Sequence, residues 1–168
     1  MTKNLINMTK KLYCFSRKEF INMLPLPENT AAISIIETQQ CQDYYKRKEP
    51  HPLPSSDENV FNAVFDDINT DTFSYDGCTF TGLLEDQARK LALFIDRQVK
   101  EGRDIYVHCR AGKSRSQGVI DYIKTVYQGI DWELRKDNPC LTPNAQVKSA
   151  LMRCARELGL GEYKKEID

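Results

Sequence analysis

The chain mixes short runs of contiguous apolar residues with longer segments whose apolar positions recur every three or four residues. Residues 12–15, 32–36, 60–65 and 104–107 are of the first kind and are expected to be buried strands. Residues 83–100 are of the second kind. Leu84, Ala88, Leu91, Ile95 and Val99 step by three or four and mark one face of a helix. Glu85 and Asp86 at its start and Lys100 at its end suit the helix dipole, and Gly102 is placed to close it. A further helix is expected from Arg115 to about Tyr127, with Val119, Tyr122, Ile123 and Val126 inward and Gly129 closing it. Another begins after Pro143 with Asn144 as N-cap, carries Val147, Leu151, Cys154 and Leu158, and ends at Gly159. A brief helix opens at Ser16, where Glu19 completes a capping-box spacing, and stops at Pro25 and Pro27.

Two polar stretches separate these elements. Residues 38–59 contain Pro50, Pro52 and Pro54, with one helical turn near Gln42, and residues 70–82 contain Gly77 and Gly82. Both are expected to be irregular, and loops of that length in a compact domain tend to be functional. No internal repeat or low-complexity segment is visible. The strand and helix order predicts an α/β fold: a single domain with a central, mostly parallel sheet flanked by helices. Ligands in such folds bind beyond the carboxyl ends of the strands.

Composition narrows the partners. The 168 residues suit one domain, and the 24 basic and 24 acidic residues give a formal charge of zero. General nucleic-acid binding is therefore not expected, although a local basic pocket is compatible with that balance. No apolar run approaches the roughly 20 residues that span a bilayer. The first seven residues lack a signal-type apolar core, so the expectation is a cytoplasmic monomer. Of the six cysteines, Cys14, Cys41, Cys78, Cys109, Cys140 and Cys154, none forms a C-x-x-C pair, and only His51 and His108 accompany them. That arrangement predicts free thiols, with no metal and no cofactor. Trp132 and Tyr122 read as packing residues.

The densest chemistry lies at one strand-to-helix junction, His108-Cys109-Arg110-Ala111-Gly112-Lys113-Ser114-Arg115-Ser116. Amide groups at a helix start have no partners within the helix and favour an anion of phosphate size. Gly112 lets the backbone curl there. Arg115 is placed to fold back and hold two oxygens at once. Thiols in such surroundings ionise with pKa values of roughly 3.5–7.5, so Cys109 is expected to serve as a nucleophile aimed at phosphorus. Ser116 is placed to hydrogen-bond the sulfur, and His108 to orient the loop. Arg110, Ala111, Gly112, Lys113, Ser114 and Arg115 would line the cradle, with Arg110 and Lys113 adding charge for a polyanionic substrate.

The run H-C-x-x-G-x-x-R-S resembles the signature of cysteine-dependent protein tyrosine phosphatases, most closely the compact dual-specificity branch. Its five defined positions all match, a coincidence of roughly one in tens of thousands at ordinary residue frequencies. The resemblance is clear over residues 60–127 and loose before them. It implies a phosphatase-type phosphate-binding loop and metal-independent hydrolysis of phosphomonoesters through a phosphocysteine. The implied substrate is phosphotyrosine in proteins, with phosphoserine and phosphothreonine, phosphoinositides, inositol phosphates or RNA 5′-phosphates as alternatives on the same scaffold, and a phosphate-binding module without turnover as the non-enzymatic one. It also implies an aspartic acid on an earlier loop as general acid. Asp67 is the first choice, Asp66 the second, and Asp71 and Asp76 remain open.

Overall fold

A computed structural model describes residues 9–135 and 142–161. Cys140 lies outside the described residues. The elements in chain order are β1 (Lys10–Ser16), α1 (Arg17–Met23), β2 (Thr30–Ile36), α2 (Gln39–Tyr44), β3 (Val60–Val64), β4 (Thr72–Tyr75), β5 (Cys78–Thr81), α3 (Glu85–Lys100), β6 (Asp104–Cys109), α4 (Arg115–Val126), β7 (Trp132–Leu134) and α5 (Ala145–Leu158). Five strands form a wholly parallel sheet in the order β3-β2-β6-β1-β7. All of them therefore end at one edge of the sheet, and that edge carries the Cys109 junction.

Side chains alternate across a strand, so each strand feeds two layers. Leu12 and Cys14 of β1, Ala31, Ile33 and Ile35 of β2, and Ile105, Val107 and Cys109 of β6 face the larger core. That core is closed by α3, α4 and α5 through residues such as Leu91, Ile95, Val119, Ile123 and Leu151. Each such fully buried aliphatic side chain contributes about 1.5–3 kcal/mol relative to exposure. The other face carries Phe15, Ala32 and Tyr106, covered by Phe20 of α1. The capping box at Ser16 and Glu19 starts α1 as its sequence predicts. α4 and α5 lie close because residue 118 is glycine: a Cβ there would meet the Asn144 carbonyl oxygen at 2.7 Å.

Three details differ from the sequence reading. Residues 70–82 are not irregular, because β4 and β5 pair as an antiparallel hairpin. Asp76 and Gly77 form its tip with φ of 51° and 73°, the left-handed pair that a two-residue hairpin turn requires. The short strand β4 alternates Thr72 and Ser74 with Phe73 and Tyr75 and is exposed along its whole length, so no contiguous apolar run betrays it. Trp132 does more than pack, since it opens the edge strand β7 beside β1. The helix α4 closes at Tyr127 rather than at Gly129. Among the described residues no helix is long and apolar enough to cross a membrane.

Candidate active site

The junction is shaped by one close approach. Gly112 has φ of 70°, and a Cβ on it would lie 2.7 Å from Ser16 N and 2.8–2.9 Å from the Phe15 carbonyl group. Only glycine fits both the left-handed conformation and the contact with the end of β1. The turn consequently curls back over Cys109, and Gly112 N–H points at the Cys109 Sγ from 3.2 Å. The Ser116 hydroxyl reaches the same sulfur from the first turn of α4, at 3.0 Å.

Behind Ser116 stands Cys14, whose thiol donates to Ser116 Oγ at 3.0 Å and also lies 3.4 Å from the Gly112 carbonyl. A thiol that donates to Ser116 leaves the serine proton free to point at Cys109. Parallel register makes this possible, because Cys14 and Cys109 sit on adjacent strands and face the same layer. The start of α4 has no side-chain cap. Ser114, in the capping position, turns its hydroxyl instead to Asp67 Oδ1 at 2.7 Å. Arg115 is buried, and its Nη1 donates to the Phe65 carbonyl at 2.9 Å, at the end of β3. Arg110, Ala111 and Lys113 form the exposed rim of the turn.

The two neighbouring carboxylates separate cleanly. Asp66 is 1% exposed and accepts from Thr38 N, Thr38 Oγ1 and Thr81 N at 2.7–2.9 Å. It ties the start of α2 to the end of β5. Asp67 is exposed and sits against the Cys109 loop, held by Ser114 and by Asn144 Nδ2, which donates to Oδ1 at 2.7 Å. Asp76 is at the hairpin tip, and Asp71 lies beside Gln146 near the start of α5. Neither is brought to Asp67's position against Ser114.

His108 faces away from the sulfur. Alternation along β6 puts it in the opposite layer, stacked on Phe20 at 4.4 Å between centroids. Its Nε2 meets Ser34 Oγ at 2.7 Å, and Ser34 Oγ in turn meets His51 Nδ1 at 2.9 Å. Burial pushes the His108 pKa down to about 4, helped by Arg17, His51 and Arg115 and opposed by its bond to the Cys109 carbonyl. Its Nδ1 lies 3.4 Å from the Cys109 carbonyl.

Sequence reasoning missed Cys14 and the second duty of Asn144. Asn144 caps α5 through Val147 N, as expected, and also fastens Asp67 and the Ile68 carbonyl. Those partners are 77 and 76 residues away, so no local pattern announces them. The five cysteines among the described residues, Cys14, Cys41, Cys78, Cys109 and Cys154, are buried, and no disulfide joins any two of them. Among the described residues no cluster of His, Cys, Asp or Glu is gathered as a metal site. No family model, no curated protein and no solved structure matches the chain.

Proposed function

We propose that the protein is a cysteine-dependent phosphatase of the dual-specificity type, hydrolysing phosphotyrosine in proteins through a phosphocysteine. The observation that carries this reading is the Cys109 sulfur, met by the Gly112 amide at 3.2 Å and by Ser116 Oγ at 3.0 Å at the uncapped start of α4. A negative sulfur suits those two donors, and the surrounding loop suits a tetrahedral dianion.

The reaction runs in two displacements. The Cys109 thiolate attacks phosphorus, the bond from phosphorus to the ester oxygen breaks, and Asp67 gives its proton to the departing oxygen. Asp67 then takes a proton from water, the resulting hydroxide attacks phosphorus, and the sulfur–phosphorus bond breaks. Ser116 donates to the sulfur as it regains its charge. Arg115 and the loop amides hold the equatorial oxygens in both steps. Proton transfer by a placed carboxyl contributes typically about 10²–10⁴-fold. Asp67 suits this role because it is exposed at the loop, whereas Asp66 is consumed by three hydrogen bonds.

Hydrolysis of an aryl phosphate tests the proposal. Activity is expected to persist in excess chelator and to vanish in Cys109→Ser. Dependence on added metal, or full activity in Cys109→Ser, would overturn it.

A further inference from the structure

The hairpin beside Asp67 is covered on one strand only. Its two-residue turn closes on the pair Tyr75 and Cys78, so the pairs that exchange main-chain bonds recur at Phe73 with Phe80 and again at Asp71, whose carbonyl takes Gly82 N–H at 2.9 Å. The side chains at 73, 75, 78 and 80 therefore share one face. On β5 that face is closed, with Cys78 and Phe80 buried among Cys41 and Tyr44 of α2. On β4 it is open: Phe73 is 51% and Tyr75 60% exposed, and Tyr45, just past the end of α2, is 52% exposed. Phe73 and Tyr45 each meet the ring of Phe80 at 6.4 Å between centroids. A cavity of about 320 Å³ has Tyr45, Arg47, Asp67, Ile68, Phe73 and Phe80 among its walls. Arg47 is already committed, stacked on Tyr45 at 4.3 Å and paired with Glu37 at 3.2 Å, which leaves the rings and Ile68 to a ligand. Asp67 makes this cavity continuous with the Cys109 loop through its bond to Ser114.

The main chain of β4 is open as well. Thr72 and Ser74 turn their main-chain groups away from β5. The Thr72 carbonyl takes the Thr70 hydroxyl at 2.8 Å, but Thr72 N–H and both main-chain groups of Ser74 have no partner among the described residues. Other strand edges are stopped by side chains. Gln87 takes the N–H of Val64 on β3 at 2.7 Å and its carbonyl at 2.9 Å. Gln40 and Asp66 accept from Thr79 N and Thr81 N on β5. An unpaired edge next to an apolar pocket suits an extended peptide, which draws affinity from main-chain bonds and selectivity from alternate side chains.

The size of this edge decides its occupant. A stable contact between two copies buries about 800 Å² on each, more than a four-residue strand offers. A peptide already held at the Cys109 loop needs much less, because its second contact is made within one complex. Side chains on one face of an extended chain recur every second residue, about 7 Å apart, a span that a cavity of this size bridges.

Resting on the phosphatase reading, we infer that the open edge of β4 receives the peptide substrate as a third strand of the hairpin, seating the apolar side chain two residues from the phosphotyrosine against Tyr45 and Phe73. Leucine at that position raises kcat/KM about tenfold over alanine, the effect of partly burying its additional carbons.

The experiment uses phosphotyrosyl peptides with leucine or alanine two residues before or two residues after the phosphotyrosine, and p-nitrophenyl phosphate as the small reference substrate. One of the two leucine peptides should show the tenfold gain. Phe73→Ser should erase that gain while keeping the reference rate within about twofold, because the small substrate does not reach the hairpin. Tyr45→Ser reads the same wall from α2 and decides the matter if the Phe73 variant loses the reference rate. Ser74→Pro removes one outward N–H at an edge position where proline is tolerated, and should lower kcat/KM on the peptide by about fivefold, the loss of one hydrogen bond. Methylating the peptide amides one at a time should hurt at alternate residues, the signature of a paired strand. Equal rates on leucine and alanine peptides at both positions would overturn the inference. So would a gain that survives both Phe73→Ser and Tyr45→Ser, a methylation scan without alternation, or a sedimenting dimer that Ser74→Pro dissociates, which would give the edge to a second copy. Failure of the wild type on the small reference would strike the phosphatase reading instead. The edge is then judged from binding of the same peptides to Cys109→Ser, where equal affinities overturn it.

Discussion

Asp66 and Asp67 are adjacent in sequence and opposite in circumstance, which makes the pair a sharp test of roles. Asp67→Asn is expected to lower kcat by about 10²–10⁴-fold while leaving the affinity for vanadate little changed. Asp66→Asn should instead act on stability, because it weakens a buried group with three donors, at a cost of about 1–3 kcal/mol in a denaturant titration. The reverse pattern would exchange their assignments. Ser116 and Cys14 form a second test. Ser116→Ala is expected to slow release of phosphate from sulfur more than its formation, so a burst of aryl alcohol should precede a slow steady rate. Cys14→Ala should give a weaker burst, since it removes only the contact that turns the serine. The Cys109 junction was legible at this scale because residues 108–116 are contiguous in the sequence. Cys14 was not, because Ser116 lies 102 residues away on α4 and reaches it only once β1 and β6 pair in register.

At the scale of elements, the close crossing of α4 and α5 decides where Asp67 is held. Gly118 lets the helices approach, and Asn144 at the start of α5 reaches the acid from there. Gly118→Ala is expected to destabilise by about 1–3 kcal/mol, because the added methyl would lie 2.7 Å from the Asn144 carbonyl. It should also reduce kcat, by displacing Asn144 and loosening the acid. A thermal melt and a steady-state assay on the same sample read both effects. The long amphipathic helix α3 was plain from its spacing, since every turn repeats the same signal. The hairpin was not, because its two strands have four residues each, and the alternation of Phe73, Tyr75, Cys78 and Phe80 with polar neighbours around the Asp76-Gly77 turn is too short to stand out from a loop. The three-residue strand β7 is too short to show a period and exists through its pairing with β1.

For the molecule as a whole, the buried His108 sets a stability slope with pH. The folded chain resists protonating this imidazole until about pH 4, while the unfolded chain takes the proton near 6.5. Between those values the unfolded state binds more protons, so stability falls as pH drops through that window. The loss amounts to about 3 kcal/mol at most. His51, also lowered by burial and by Arg17, adds in the same direction. Urea titrations at pH 7, 5.5 and 4.5 should show the decline, and His108→Gln should flatten it. A decline of the same size in that variant would assign the slope to other groups. The overall fold was accessible from the sequence because a parallel sheet demands apolar runs and intervening helices. The order of its strands was not, since pairing β1 between β6 and β7 is a long-range choice.

The alternation of β6 has a consequence for how this chain tolerates change. Thiol and imidazole stand side by side in sequence yet serve opposite compartments of the protein. A deletion or insertion of one residue within that strand would exchange them, delivering an imidazole to the side of Ser116 and Gly112 and a sulfur to the ring of Phe20. The length of the strand between Asp104 and Cys109 is therefore frozen by parity.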